Sequence, residues 1–276
     1  MPTQEKNMTS NPKTAPGTAL VTGASSGIGA TYADRLARRG YNLILVARDA
    51  DRLDALGSRL AGQYGIKSDT LRADLSDRAD IRKVEDRLRG DAGITLFVNN
   101  AGVGPKGPLL QGDLDDYDRM VELNVLAANR LAIAAAQAFA GRGTGAIINT
   151  ASVVALAPHF FNGTYSASKA FVLILTESLA AELQGTGVRL QAVLPGLTRT
   201  ELFDRVGRSI DDLDPNMVME VGDLVDAALA GFDQGELITI PSLADSSLYD
   251  SYHAARSVLM PYLSLSRPAA RYGLAG

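Results

Sequence analysis

The sequence has no cysteine and only two histidines, His159 and His253, far apart in the chain. Without cysteine no disulfide can form, and no thiolate can serve as nucleophile or ligand. Two isolated histidines do not make a zinc centre, which usually needs several Cys or His ligands, so no metal is expected. Charge of one sign is also missing. The 27 basic and 31 acidic residues are interspersed and give a net charge of −4. Neither the basic stripe of a nucleic-acid binder nor the Lys/Arg cluster of a protein held on an anionic membrane is present. The longest apolar runs, such as residues 131–140, fall well short of a membrane span. Residues 1–16 are polar and rich in Pro, Thr and Asn, without the apolar centre of a signal peptide. The expectation is a flexible N-terminal tail on a cytoplasmic protein.

Hydrophobic residues make up 46% of the 276, enough for the core of one large α/β domain. From Thr18 onward the pattern alternates strand, turn and helix. Strands are expected at 18–22, 41–47, 68–73, 96–98, 145–150, 188–194 and 236–240. Helices are expected at 29–39, 51–63, 77–88, 114–140, 165–183 and 224–232, the last capped by Asp223. The run YNLILVA at 41–47 suits a strand buried on both faces of a parallel sheet. The fold class this predicts is α/β: one doubly wound, mainly parallel seven-stranded sheet with helices on both faces, over residues 17–241. Beyond it, Leu248, Tyr252, Ala255 and Leu259 recur at three- or four-residue steps. They predict an amphipathic helix, ended by Pro261, in a C-terminal extension (242–276) packed on the same domain.

The first strand runs into Gly23-Ala24-Ser25-Ser26-Gly27-Ile28-Gly29. Glycines let the backbone approach a pyrophosphate, and the following helix N-terminus offers unpaired N–H groups. The spacing is not that of the commonest dinucleotide fingerprint, and a tight turn without ligand would look the same. The second strand ends at Ala47-Arg48. An NAD site usually places an acid here for the ribose 2′-hydroxyl, whereas a guanidinium suits a 2′-phosphate. An ordinary solvated arginine is the alternative. Asp49 weakens the positive field and Arg52, a turn further on, is expected to restore some of it. Asp74, with Leu75, follows the third strand and is suited either to an adenine amino group or to capping the next helix. Asn99-Asn100-Ala101-Gly102 ends the fourth, where amides can tie strands together and bond a ribose, or simply make a turn.

Tyr165 and Lys169 stand at i and i+4, about 6 Å apart along one helix face. A free Tyr titrates near ~10, and a cation at ~5–6 Å with an effective dielectric of ~20 favours the phenolate by about 3 kcal/mol, roughly two pKa units. Chance alone can produce such a pair among nine tyrosines. Ser152, at the end of the fifth strand, is placed to hold a substrate oxygen, although turn serines are common there. Asn124 is an unfavourable residue inside a long helix, suited to bending it or to holding a water towards Lys169.

Taken in order, Thr22-Gly23-x-x-x-Gly27-x-Gly29, Asn99 to Gly102, Asn124, Ser152, Tyr165-x-x-x-Lys169 and Pro195-Gly196 resemble the short-chain dehydrogenase/reductase family over residues 18–200. The resemblance implies a Rossmann-type domain and a catalytic set of Asn124, Ser152, Tyr165 and Lys169, with Tyr165 as acid/base and Lys169 on the nicotinamide ribose. Arg48 and the missing acid at Ala47 favour NADP(H) as the cofactor, with NAD(H) also admitted, and the resemblance implies Pro195, Gly196, Thr198 and Thr200 around the carboxamide. A carbonyl or alcohol substrate and a homodimer or homotetramer follow, with the helices at 114–140 and 165–183 pairing across the interface. The chain departs from the commoner family pattern after Ile240. A substrate lid is expected at 201–221, with Leu202, Phe203, Met217 and Met219, and an apolar loop at 153–164 with Leu156, Pro158, Phe160 and Phe161. A non-catalytic dinucleotide sensor or an NAD-linked alcohol dehydrogenase on the same fold are the competing readings.

Overall fold

The computed structural model describes residues 16–201 and 209–274. Strand β1 (Thr18–Thr22) is buried from Ala19 onward and stops at Gly23, whose φ of +66° suits glycine alone. Helix α1 (Gly27–Arg38) buries Tyr32, Ala33, Leu36 and Ala37 at three- and four-residue steps, and Gly40 at φ +88° ends it. Then come β2 (Asn42–Ala47), α2 (Ala50–Tyr64), β3 (Ser68–Arg72), α3 (Arg78–Gly90) and β4 (Ile94–Asn99). The second half holds α4 (Leu114–Val121), α5 (Ala128–Arg142), β5 (Gly145–Thr150), α6 (Gly163–Glu182) and β6 (Val188–Val193). The two-residue strands β7 (Thr198–Arg199) and β8 (Met219–Glu220), helix α7 (Val221–Gln234) and strand β9 (Ile238–Thr239) follow.

Seven strands form one sheet in the order β3-β2-β1-β4-β5-β6-β9, every pair parallel. Successive strand side chains point to opposite faces, so each face has its own core. Ala19, Val21, Leu43 and Leu45 meet Tyr32, Leu36, Leu53, Leu60 and Phe232 on one side. Leu20, Ile44, Phe97 and Ile147 meet Ile81, Leu88, Leu131 and Phe139 on the other. This is the Rossmann-type doubly wound arrangement. Its strand order reverses between β1 and β4, and a crevice opens there at the carboxyl ends of the strands.

The departures from expectation are local. The sheet is wholly rather than mainly parallel. Its last strand pairs only through Ile238 and Thr239, not over five residues. The small β7-β8 sheet is unforeseen, because two-residue strands carry no periodicity. Helix α7 is capped at Glu220, not Asp223, which lies in its first turn and there favours the helix dipole. The helix expected at 114–140 is interrupted by a π-helical turn over Glu122–Ala127. Counted through that turn, Leu114–Arg142 is 29 residues, long and apolar enough to cross a membrane, a length that the apolar run alone understates. Half of its most apolar stretch is buried, with Leu131, Ala132, Ala135 and Phe139 in the core.

Residues 242–276 form a second compact unit. It contains helix α8 (Ser247–Val258) and two short 3-10 turns, Met260–Tyr262 and Ala270–Tyr272. The helix ends before Pro261, with Leu259 at its C-cap, and none of its residues is buried.

Candidate active site

A cavity of about 540 Å³ opens at the carboxyl edge of the sheet. Gly23, Ser25, Ser26, Gly27 and Ile28 line one end of it. Gly29 stands just behind, where a Cβ would collide with the Gly23 carbonyl and the Asn100 amide. The close approach of α1 to the strand thus requires glycine at 29, as a pyrophosphate cradle does. Thr22, which opens the glycine motif but was given no role of its own, locks the switch point. Its Oγ1 accepts from the Asn100 and Ala101 amides at 2.9 and 3.1 Å, and its carbonyl accepts from Asn100 Nδ2 at 3.0 Å. Asn100, Ala101 and Gly102 line the cleft. Asn99 instead turns inward, donating to the Ala128 carbonyl and Asn149 Oδ1.

At the outer end, Ala47 closes β2 without an acid, and the exposed Arg48 lines the cleft. Arg52 does not supplement it. Its guanidinium pairs with Glu201 at 3.0 Å and with Asp49 at 3.5 Å, so its charge is already balanced. Asp49 also accepts from the Arg52 amide as the N-cap of α2. Asp74 and Leu75 line the same end. Asp74 is not the cap of α3, a place Asp77 takes; its own Oδ1 accepts from the Ser76 amide at 3.0 Å. Pro195, Gly196, Thr198 and Thr200 complete the wall. The chemistry of this set, a glycine turn at one end and a guanidinium at the other, would suit a dinucleotide carrying a 2′-phosphate.

The inner end is built on α6. Asn162 caps that helix, and Tyr165 and Lys169 follow one turn apart. Lys169 Nζ lies 5.8 Å from the Tyr165 ring centroid and donates to the Thr150 carbonyl at 3.0 Å. Ser152 donates to the Pro195 carbonyl at 3.2 Å and hydrogen-bonds the Tyr165 hydroxyl. Tyr165 is half-buried as a residue, but its hydroxyl is enclosed. Burial pushes the phenol up to about 12, against the pull of the Ser152 hydrogen bond. Burial likewise lowers the Lys169 ammonium to about 8. The expected two-unit fall of the phenol is therefore not found. Taking both groups out of water costs their charged forms more than their mutual attraction returns.

Asn124 sits in the π-helical turn, a distortion frequent at functional sites. It is buried behind the cleft. Its Oδ1 accepts from the Val103 amide and its Nδ2 donates to the Val103 carbonyl, both at 2.9 Å, and also to Ser168 Oγ at 3.2 Å. Gly102 separates it from Lys169; a Cβ there would lie 3.2 Å from Asn124 Oδ1 and 3.5 Å from Lys169 Nζ. Of the residues singled out in the sequence for catalysis or cofactor binding, Gly29, Asn99 and Asn124 do not line the cleft.

The apolar end is only partly as expected. Val153, Val154 and Phe161 line the cleft, and Phe161 meets Tyr165 edge-to-face with centroids 5.5 Å apart. Leu156 packs instead against a small core cluster with Ala128 and Leu173, and Pro158 does not line the cleft. Of the expected lid residues, Leu202 and Phe203 lie outside the described residues. Met217 is exposed and Met219 packs against the main core, and neither lines the cleft. The wall that sequence reasoning missed is Val103, Gly104 and Pro105 with Leu123. Its signal is the Gly-Val-Gly-Pro run directly after the Asn100-Ala101 pair. Among the described residues no cluster of potential metal ligands occurs.

The description "short chain dehydrogenase" matches residues 17–210. The chain belongs to this family. Among curated relatives, the very-long-chain 3-oxoacyl-CoA reductase of Anas platyrhynchos is 33% identical over 191 residues, which is 67% of this chain. The match spans only 60% of that enzyme's length. Two solved structures are more similar. A short-chain dehydrogenase from Sphingobium yanoikuyae in complex with NADPH is 49% identical with a TM-score of 0.89, covering 93% of this chain and 100% of that one. A bulky-bulky ketone specific alcohol dehydrogenase from Comamonas testosteroni is 46% identical with a TM-score of 0.86, covering 94% and 99%. Both matches exceed what residues 1–241 alone can supply, so they include part of residues 242–276.

Proposed function

We propose that this short-chain dehydrogenase is an NADPH-dependent reductase of ketones that carry a bulky apolar group on each side of the carbonyl, with Tyr165 as its general acid/base. The observation that carries this reading is the enclosed Tyr165 hydroxyl. It is hydrogen-bonded to Ser152, stands one turn from Lys169, and lies at the inner end of a cleft whose other end is a glycine cradle. When bound, the nicotinamide supplies the hydride for reduction or accepts it in oxidation. Ser152 orients the substrate oxygen, and Tyr165 delivers a proton to it. A phenol raised to about 12 is fully protonated at neutral pH, which suits an acid in the reducing direction. Lys169, steadied by the Thr150 carbonyl, binds the ribose and offsets the phenolate left after proton transfer. Asn124 acts from behind by fixing Val103. Arg48 takes the 2′-phosphate, and Pro195, Gly196, Thr198 and Thr200 take the carboxamide end.

The substrate class rests on the apolar lining from Val103, Pro105, Leu123, Val154 and Phe161 and on the ketone specificity of the Comamonas testosteroni relative. A panel of ketones graded in the size of both substituents, with aldehydes and quinones alongside, tests it by loss of NADPH absorbance. Ketones with two bulky groups should turn over fastest. No oxidation of NADPH with any member of the panel would remove the proposal. The reading extends to a cytoplasmic homodimer or homotetramer, which cell fractionation and light scattering test.

A further inference from the structure

Two asparagines outside the glycine cradle hold the same loop. Residues 103–112 begin at the cleft wall, where Asn124 binds both the amide and the carbonyl of Val103. The far part of this loop is held by Asn162. Its Nδ2 donates to the Gly107 carbonyl at 3.0 Å and to Tyr117 Oη at 3.2 Å. Tyr117, on α4, lies within donating distance of the Pro108 and Leu109 carbonyls at 3.2 and 3.1 Å. The other end of the same Asn162 side chain faces the catalytic helix, where Oδ1 accepts from the Tyr165 amide at 3.2 Å. Its backbone carbonyl accepts from the Ser166 amide at 2.9 Å. Asn162 is 9% exposed, so these partners stand in place of water.

We infer that Asn162 is a positioning residue that ties the loop at 103–112, whose first three residues line the cleft, to the first turn of the helix carrying Tyr165. Any good N-cap would start α6, and Asp or Ser would serve as well as Asn. Only the amide combines the capping acceptor with two N–H donors on the opposite side. The identity of the residue at 162 therefore decides whether the wall and the acid move together, and a ketone must touch both. The inference rests on the proposed role of Tyr165.

The two arms separate by substitution. Asn162→Asp keeps the cap and loses the donors, Tyr117→Phe removes the hydroxyl from the loop side alone, and Asn162→Ala removes both arms. Steady-state reduction of a bulky ketone by the full-length enzyme, with hydrogen exchange measured in parallel, reads the result. For Asn162→Asp the ketone KM should rise roughly five- to tenfold, with kcat within about twofold and the KM for NADPH unchanged. Tyr117→Phe should shift the same parameter the same way, and the double variant should be no worse than Asn162→Asp by more than about twofold. Asn162→Ala should lose about tenfold in kcat as well, since small misplacements of a reacting group are costly. Exchange should quicken at 103–112 in Asn162→Asp, and there and at the start of α6 in Asn162→Ala. Unchanged ketone KM and unchanged exchange at 103–112 in Asn162→Asp would overturn the inference, as would a kcat loss in Asn162→Asp equal to that in Asn162→Ala. Should Asn162→Ala fail to fold, Asn162→Asp and Tyr117→Phe still decide. If Tyr165→Phe is inactive while every Asn162 variant matches the parent, only this inference falls; an active Tyr165→Phe removes the reading beneath it.

Discussion

A phenol held near 12 beside an ammonium held near 8 is a pair that burial has moved towards its neutral forms. Tyr165→Phe should cut turnover by ~10²–10⁴-fold while NADPH still binds, because the ring stays and only the acid goes. Lys169 gives the pH behaviour. Its folded pKa is depressed, so its charge is held at a cost below about pH 8 and that cost is relieved as pH rises towards its ordinary value of 10.5. Reduction should therefore weaken as pH passes upward through about 8, where the ammonium is lost. Thermal melts of the cofactor-free protein should show Lys169→Met gaining on the parent most below pH 8. That advantage should shrink by about 3 kcal/mol at high pH, and an advantage independent of pH would contradict the buried charge. Arg48→Ala should weaken NADPH by roughly 1.5–3 kcal/mol more than NADH in direct titrations, and equal losses would make Arg48 an ordinary surface residue. Residue identities and spacing made Ser152, Tyr165, Lys169 and Arg48 legible in the sequence. The neutralisation of Arg52 was not, since Glu201 lies 149 residues further on. Nor was the sign of the Tyr165 shift, because desolvation depends on everything packed around the group.

Elements were legible where their pattern was long. The buried run of β2 and the stepped apolar face of α1 identify themselves by composition and period. Strands of two residues, such as β7, β8 and β9, have no period to read. Their ends are set by partners distant in the chain. The π-helical turn left one trace, an asparagine inside a helix, whose side chain proves to be spent on Val103 rather than on the helix itself. The tightest element junction is the turn from β1 into α1. Gly29→Ala forces a methyl against the Gly23 carbonyl, and overpacking of this kind costs about 1–3 kcal/mol. The variant should melt lower and lose NADPH affinity more than tenfold, roughly 1.4 kcal/mol or above, in fluorescence titration. Parent-like affinity would mean that the turn has slack the structure does not show.

On the scale of the whole molecule, we propose that the extension at 242–276 belongs to the working enzyme. Leu248, Tyr252 and Leu259 are 62%, 44% and 55% exposed, a costly arrangement to keep in water. Covering a few such side chains contributes ~1.5–3 kcal/mol each. Truncation after Pro241 should lower the melting temperature or change the mass seen by light scattering, and a truncated chain that melts, assembles and turns over like the full one would refute this. The sheet itself grows outward from β1, first through β2 to β3 and then on the other side through β4, β5, β6 and β9. A chain leaving the ribosome can thus add nearly every strand to an edge already made. The edge that waits longest is that of β1, which ends at Thr22 and has no partner on that side until β4 appears from Ile94. Until then the nascent protein presents a bare apolar strand at what will become its centre, the kind of edge to which other chains add. For that interval of synthesis the edge of β1 is open to pairing with other chains.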